Sequence, residues 1–172
     1  GGEPRRPELP GVDLPHVTLA QDVLAGNVAV GQRVVIIGAR GTGCDTALFL
    51  AQQSATPPDA AVFLATWGAV DTAGAMALTR KPRQITLVRR GERVGDDIGR
   101  TVRWIVMKEL ADHGVNMVTG VDYEEINAQG VVVVKDGERR LLEADTVVLA
   151  TGLTPRNDLA VALAGKIPAV HV

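Results

Sequence analysis

Gly38, Gly41 and Gly43 stand in the run Val34-Val35-Ile36-Ile37-Gly38-Ala39-Arg40-Gly41-Thr42-Gly43-Cys44-Asp45-Thr46-Ala47. That spacing suits one piece of chemistry, the holding of a phosphate by backbone N–H groups. Four β-branched apolar residues lead into the glycines, and Ala47, Leu48, Leu50 and Ala51 recur at helical spacing beyond them, so the glycines form a turn between a buried strand and a helix N-terminus. In the G-x-G-x-x-G pattern the first glycine permits the sharp turn, the middle one lets the backbone approach a pyrophosphate, and the last lets helix pack on strand. Arg40 takes the middle place, with Gly41 and Thr42 beside it. Its Cβ would crowd a pyrophosphate, whereas its guanidinium would pair with one. The bland alternative is a strand-to-helix turn that binds nothing.

A second strand, Gln84-Ile85-Thr86-Leu87-Val88, runs into Arg89 and Arg90. In a dinucleotide fold this strand end lies beside the adenine ribose, where an acidic residue accepts from the 2′-hydroxyl of NAD and arginines pair with the 2′-phosphate of NADP. NADP is therefore favoured over NAD, against the alternative of a solvated basic turn. Asp96 and Asp97 precede a helix and are read as favouring its positive end, since no His or Cys at ligand spacing supports a metal. His113 is read as a helix-end residue, and Cys44 as a small buried packing residue.

These residues need elements to position them, and the composition allows such a scaffold. The chain has 172 residues, 46% of them hydrophobic, enough for a sizeable core in one domain. A net charge of −2 gives no broad basic field, so nucleic acid is not expected as a partner. No apolar run approaches the ~20 residues of a membrane span, and no signal peptide is expected. One cysteine excludes an intrachain disulfide framework and fits a reducing compartment, the cytoplasm.

Residues 1–15 are Pro- and Gly-rich and predict an extended, irregular segment. Val17 to Leu24 predicts a short helix ended by Gly26-Asn27. The helix after the glycine turn should run to about Gln53, where Ser54-Ala55-Thr56-Pro57-Pro58 stops it. A long excursion follows, too apolar for free linker at Phe63, Leu64, Trp67, Val70, Met76 and Leu78; it predicts a short helix over Ala61 to Trp67, with Trp67 in core or interface packing. Thr101 to Leu110 predicts a helix with Val102, Ile105, Val106 and Leu110 on one face, stopped by His113-Gly114. The period then becomes extended: Asn116 to Thr119, Val121 to Asn127, Val131 to Lys135 and, after the hairpin signal Asp136-Gly137, Arg139 to Glu143. Asp145 to Ala150 predicts a buried strand parallel to the first, ending in Thr151-Gly152 at the same crevice. The fold class is α/β, a Rossmann-like parallel sheet with helices on both faces and an inserted antiparallel β-ribbon.

This order of strand, glycine turn, basic strand end, helix, ribbon and Ala150-Thr151-Gly152 resembles the pyridine-nucleotide domain of two-dinucleotide flavoprotein reductases. More narrowly, Gly41-Thr42-Gly43-Cys44-Asp45-Thr46-Ala47, the excursion with Trp67-Gly68, Arg89-Arg90, Ile98-Gly99-Arg100-Thr101 and Trp104-Ile105 resemble the bacterial type of NADPH-dependent 2,4-dienoyl-CoA reductase. Gly1 to Arg5 and Ile167 to Val172 look like pieces of that family's flavin-binding part, which implies a fragment of a longer polypeptide. The resemblance implies residues 1–30 as a segment from a flanking FAD domain, 31–153 as the NADP-binding domain and 154–172 as the return towards the FAD domain. The partners it implies are the FAD and FMN-barrel domains of the same polypeptide, with FAD, FMN and a 4Fe-4S cluster in the whole protein and NADPH here. It also implies that Gly38, Gly41 and Gly43 form the phosphate turn, that Arg89 and Arg90 clamp the 2′-phosphate, and that Gly152 approaches the nicotinamide half. Hydride would pass from NADPH to FAD, while the chain alone, lacking a flavin fingerprint, would catalyse nothing. Arg40 departs from that family's glycine, and a related class of flavoprotein dehydrogenases keeps this domain as a scaffold or as a site for an adenine nucleotide that exchanges no hydride.

Overall fold

A computed structural model describes residues 1–53, 58–74, 82–164 and 166. Its centre is a five-stranded parallel sheet of order β2-β9-β3-β4-β5, from β2 (Val17–Leu19), β3 (Arg33–Ile37), β4 (Gln84–Val88), β5 (Asn116–Val118) and β9 (Thr146–Leu149). Val34 to Ile37 and Thr146 to Leu149 are buried on both sides, as the apolar runs of an interior parallel strand require. Register is set by pairs such as Val34 with Ile85 and Val35 with Val147.

Helices cover one face. From α1 (Ala20–Leu24), α2 (Gly41–Gln53) and α4 (Arg100–Asp112), the side chains of Val23, Leu50 and Leu110 join Val34, Ile36, Leu87 and Val148 in one core cluster. On the opposite face Val35, Ile37 and Leu149 meet an antiparallel ribbon of β6 (Asp122–Asn127), β7 (Gly130–Lys135) and β8 (Glu138–Glu143), chiefly through Ile126, Val131 and Val133, with Leu9 from the first segment. Asp136 and Gly137 both take positive φ, 53° and 82°, the two-residue turn that twists in sympathy with its strands.

Three expectations are corrected. Helices pack on one face of the sheet and not on both, because the antiparallel ribbon fills the other. Val17 to Leu19 is a strand rather than the start of a helix, because its β-branched residues pair with β9 at the sheet edge before α1 begins. Residues 1–15 are not wholly irregular, since β1 (Gly2–Pro4) pairs antiparallel with β10 (Leu153–Pro155). A short α5 (Asp158–Leu163) follows. The expected short helix is present as α3 (Pro58–Thr66), but Trp67 is not a core residue: it lies tilted against Phe63 with ring centres 6.1 Å apart and is 75% exposed. Of α3, Ala61 is buried while Val62 and Phe63 face outward. The readings of Ser54 to Pro57, of Met76 and Leu78, and of Ile167 to Val172 fall outside the described residues.

Candidate functional site at the glycine turn

Three parallel strands end together at the turn. Gly38 N–H donates to Val88 O at 2.9 Å and Ala150 N–H donates to Ile37 O at 2.8 Å, so the C-terminal ends of β3, β4 and β9 form one rim. Gly38 has φ of 108°, and a Cβ there would lie 2.2 Å from Ala150 O. A Cβ on Gly43 would lie 1.9 Å from Gly38 O, so α2 starts against the strand end only because position 43 has no side chain. The outer glycines of the fingerprint therefore have the backbone shape that a dinucleotide turn requires.

One donor of that turn is already engaged. Gly41 N–H donates to both carboxylate oxygens of Asp97, at 3.0 and 3.2 Å, and this carboxylate stands where a phosphate oxygen would accept from the start of a helix. Asp97 thus serves the positive end of α2 and not that of α4, as the order of residues suggested; Gly95, which has positive φ, donates to Ala39 O and brings the loop back to the turn. Thr42 is exposed and its carbonyl accepts from Thr46 Oγ1. Arg40 is exposed at the middle position, and among the described residues its guanidinium makes no hydrogen bond or ion pair.

At the end of β4 the two arginines differ. Arg89 has a side chain only 15% exposed; Nη1 donates to Asp96 Oδ1 at 2.6 Å and Nη2 pairs with Asp96 Oδ2, a bidentate contact. The Asp96 hydrogen bonds hold the Arg89 guanidinium protonated above its ordinary range, and Arg89 in turn holds the Asp96 carboxyl below the usual carboxylate range. Arg90 is exposed, with Cζ 5.0 Å from the centre of the Tyr123 ring. A bulge in β6 between Tyr123 and Glu125 accompanies the inward turn of Tyr123, whose hydroxyl donates to Val88 O at 3.0 Å and whose burial pushes its pKa up to about 12. The sequence reading missed both Tyr123 and the Asp96–Arg89 pair, and neither has a local pattern that would reveal it.

Gly152, just past β9, is exposed with φ of 90° and open space where a Cβ would stand. Its carbonyl accepts from Arg5 N–H at 2.9 Å, and Arg5 Nη2 donates to Thr151 O at 3.0 Å, so the first segment pins this strand end. Cys44 is buried as expected; burial, then the nearby carboxylates of Asp45 and Asp97, push its thiol up to about 11, which leaves it inert at neutral pH. His113 caps the end of α4. Among the described residues no group of His, Cys, Asp and Glu is placed to hold a metal, and no helix is long and apolar enough to cross a membrane.

The glycine turn thus has the backbone shape of a dinucleotide turn, with Arg40 and Arg90 as exposed cations beside it, while Gly41 and Arg89 are available to a ligand only once their carboxylate partners turn away. The chain is 34% identical over 168 residues to a metal reductase of Desulforamulus reducens, covering 97% of this chain and 25% of that protein. It is 28% identical over 160 residues to an NADH oxidase of Thermoanaerobacter brockii, covering 90% of this chain and 20% of that protein. Among solved structures, a 2-naphthoyl-CoA reductase in complex with 2-naphthoyl-CoA superposes with a TM-score of 0.74 at 27% identity, over 95% of this chain and 21% of that one. The chain therefore spans about a quarter or less of the length of these relatives. The model of the pyridine nucleotide-disulphide oxidoreductase family matches residues 1–169, and the chain belongs to that family, as a pyridine-nucleotide oxidoreductase domain of the flavoprotein type.

Proposed function

We propose that this chain is the NADPH-binding domain of a flavoprotein oxidoreductase of the 2,4-dienoyl-CoA reductase type. The observation that carries the nucleotide part is the convergence at the glycine turn: three strand ends, the start of α2 and the exposed Arg90 lie together on one rim. The thioester part is supported by the likeness to a reductase whose structure holds a CoA thioester. NADPH, once bound, supplies a hydride for FAD elsewhere in the polypeptide. Gly38 and Gly43 let the turn close against the end of β9 and the start of α2, Gly41 would offer its N–H, and Arg90, braced on Tyr123, would meet the 2′-phosphate with Arg89 beside it. Gly152 leaves the end of β9 open towards the nicotinamide half. In this reading FMN and a 4Fe-4S cluster belong to other parts of the whole protein; the single cysteine here, Cys44, is buried in α2.

A second reading has its own observation. Asp97 on Gly41 and Asp96 on Arg89 satisfy the donors internally, as a domain kept for scaffolding or for a non-exchanging adenine nucleotide would. Titration of the purified protein with NADPH, NADH and ADP separates the two. NADPH is expected to bind at least ~10-fold tighter than NADH, about 1.4 kcal/mol, and Arg89→Ala with Arg90→Ala to abolish that preference. Equal affinity for NADPH and NADH would overturn the cofactor assignment, and binding of ADP alone would establish the second reading.

A further inference from the structure

Asp96 and Asp97 are consecutive, yet they engage two different features of the rim. Asp97 takes the backbone donor at the start of α2 and Asp96 takes the cation at the end of β4. Their backbone is clamped on both sides: Val94 is buried, its carbonyl accepts from Arg103 Nε and Nη2 at 3.0 and 2.8 Å, and Gly95 N–H donates to Ala39 O at 2.7 Å. Ile98 packs against the core on the other side. Both aspartates are themselves exposed, so their carboxylates can leave by side-chain rotation into solvent with no movement of the main chain.

We propose that Asp96 and Asp97 are built-in stand-ins for the pyrophosphate and the 2′-phosphate of a 2′-phosphorylated dinucleotide, Asp97 at the pyrophosphate position on Gly41 and Asp96 at the 2′-phosphate position on Arg89, each displaced when the nucleotide binds. The inference rests on the nucleotide reading above. Displacement exchanges anion for anion at each donor. A phosphate monoester brings roughly −1.5 to −2 charges and three acceptor oxygens, so it replaces a carboxylate on Arg89 where a ribose hydroxyl does not. Asp96 therefore tunes the preference for a 2′-phosphate downward, because it competes with that group for Arg89 and leaves a nucleotide without it unaffected. Asp97 sets a threshold for any nucleotide with a pyrophosphate, and holds the N-terminus of α2 satisfied in its absence.

The two roles give different signatures. Dissociation constants of NADPH, NADH and ADP are measured at one ionic strength for the wild-type protein, Asp96→Asn and Asp97→Asn, with circular dichroism confirming the fold. Asparagine keeps an acceptor oxygen for the same donor and removes the charge. Asp97→Asn is expected to tighten all three nucleotides by about 10-fold, and Asp96→Asn to tighten NADPH by about 10-fold while NADH and ADP stay within about twofold. Asp96→Ala and Asp97→Ala repeat the comparison without the residual acceptor and are expected to show the same pattern. If the wild type binds NADPH and no variant binds it more tightly, the inference is wrong and the nucleotide reading stands. If both substitutions tighten all three nucleotides alike, the effect is general repulsion and the assignment of separate phosphates is wrong. If no nucleotide binds to any of the proteins, both fail together.

Discussion

Gly43 carries a packing constraint that is independent of any ligand. Its missing Cβ would lie 1.9 Å from the carbonyl oxygen of Gly38, a backbone atom in a turn whose hydrogen bonds fix it, so neither partner can yield cheaply. Gly43→Ala is expected to destabilise the protein by about 1–3 kcal/mol or more, read as a lower midpoint in chemical denaturation. Arg40, two residues before Thr42, is the opposite case, an exposed side chain whose cost falls on the ligand and not on the fold. Arg40→Gly is expected to leave the denaturation midpoint nearly unchanged, within about 1 kcal/mol, and to tighten NADPH binding because the middle glycine gives the pyrophosphate closer approach. Weaker binding by the glycine variant, with a smaller dependence on salt, would instead identify Arg40 as a phosphate ligand.

Among the elements, β3 and β9 are joined at their starts by a single clasp. Asp145 Oδ2 accepts from Arg33 N–H at 2.8 Å and Gln32 N–H at 3.2 Å, while its Oδ1 accepts from Arg33 Nε at 3.0 Å and Nη2 at 2.6 Å; Arg33 also reaches Glu143. These hydrogen bonds hold the Asp145 carboxyl below its ordinary value of 3.8. A depressed native pKa means that the clasp contributes fully above that ordinary value and is lost as the pH falls through the lower native one. Asp145→Asn is expected to lower stability at neutral pH and to flatten the loss of stability on acidification below about pH 4, followed by thermal denaturation across that range.

At the same scale lies the division between what local pattern revealed and what it did not. β3, α2, β4 and the β7–β8 hairpin were legible because each rests on local signals, an apolar run, a 3.6-residue period or an Asp-Gly turn. Val17 to Leu19 was not, because its strand exists only through pairing with β9, far along the chain. In the site, the glycine spacing and the two arginines were legible. The difference between Arg89 and Arg90 was not, since it arises from Asp96 and Tyr123, which tertiary structure brings to them. The exposure of Trp67 defied its composition for a similar reason: an apolar side chain signals a need for cover and does not say which surface supplies it.

For the molecule as a whole, both tryptophans lie at the surface, Trp67 at 75% and Trp104 at 64% exposed. Acrylamide is expected to quench essentially all of the chain's tryptophan fluorescence, with an emission maximum typical of water-exposed indole; a blue-shifted, protected fraction would show that one of them is covered. Catalysis is expected only in the company of a flavin, so the chain alone should not oxidise NADPH above background with a dienoyl thioester present. Turnover without added flavin would contradict that division of labour.

The pairing of β1 with β10 has a mechanical consequence. Gly2 stands opposite Pro155 and Pro4 opposite Leu153, with Arg156 N–H on Gly1 O at one end and Arg5 N–H on Gly152 O at the other. Tension applied between the two ends of this antiparallel pair loads its hydrogen bonds in succession, beginning at Gly1 and Arg156, rather than all together as it would in a sheared parallel pair. The pair opens as a zipper at low force, while the parallel sheet behind it carries no load until the bonds of Arg5 to Gly152 and Thr151 have gone. The rim that Gly152 borders is thus the first part of the interior to feel a pull on the chain.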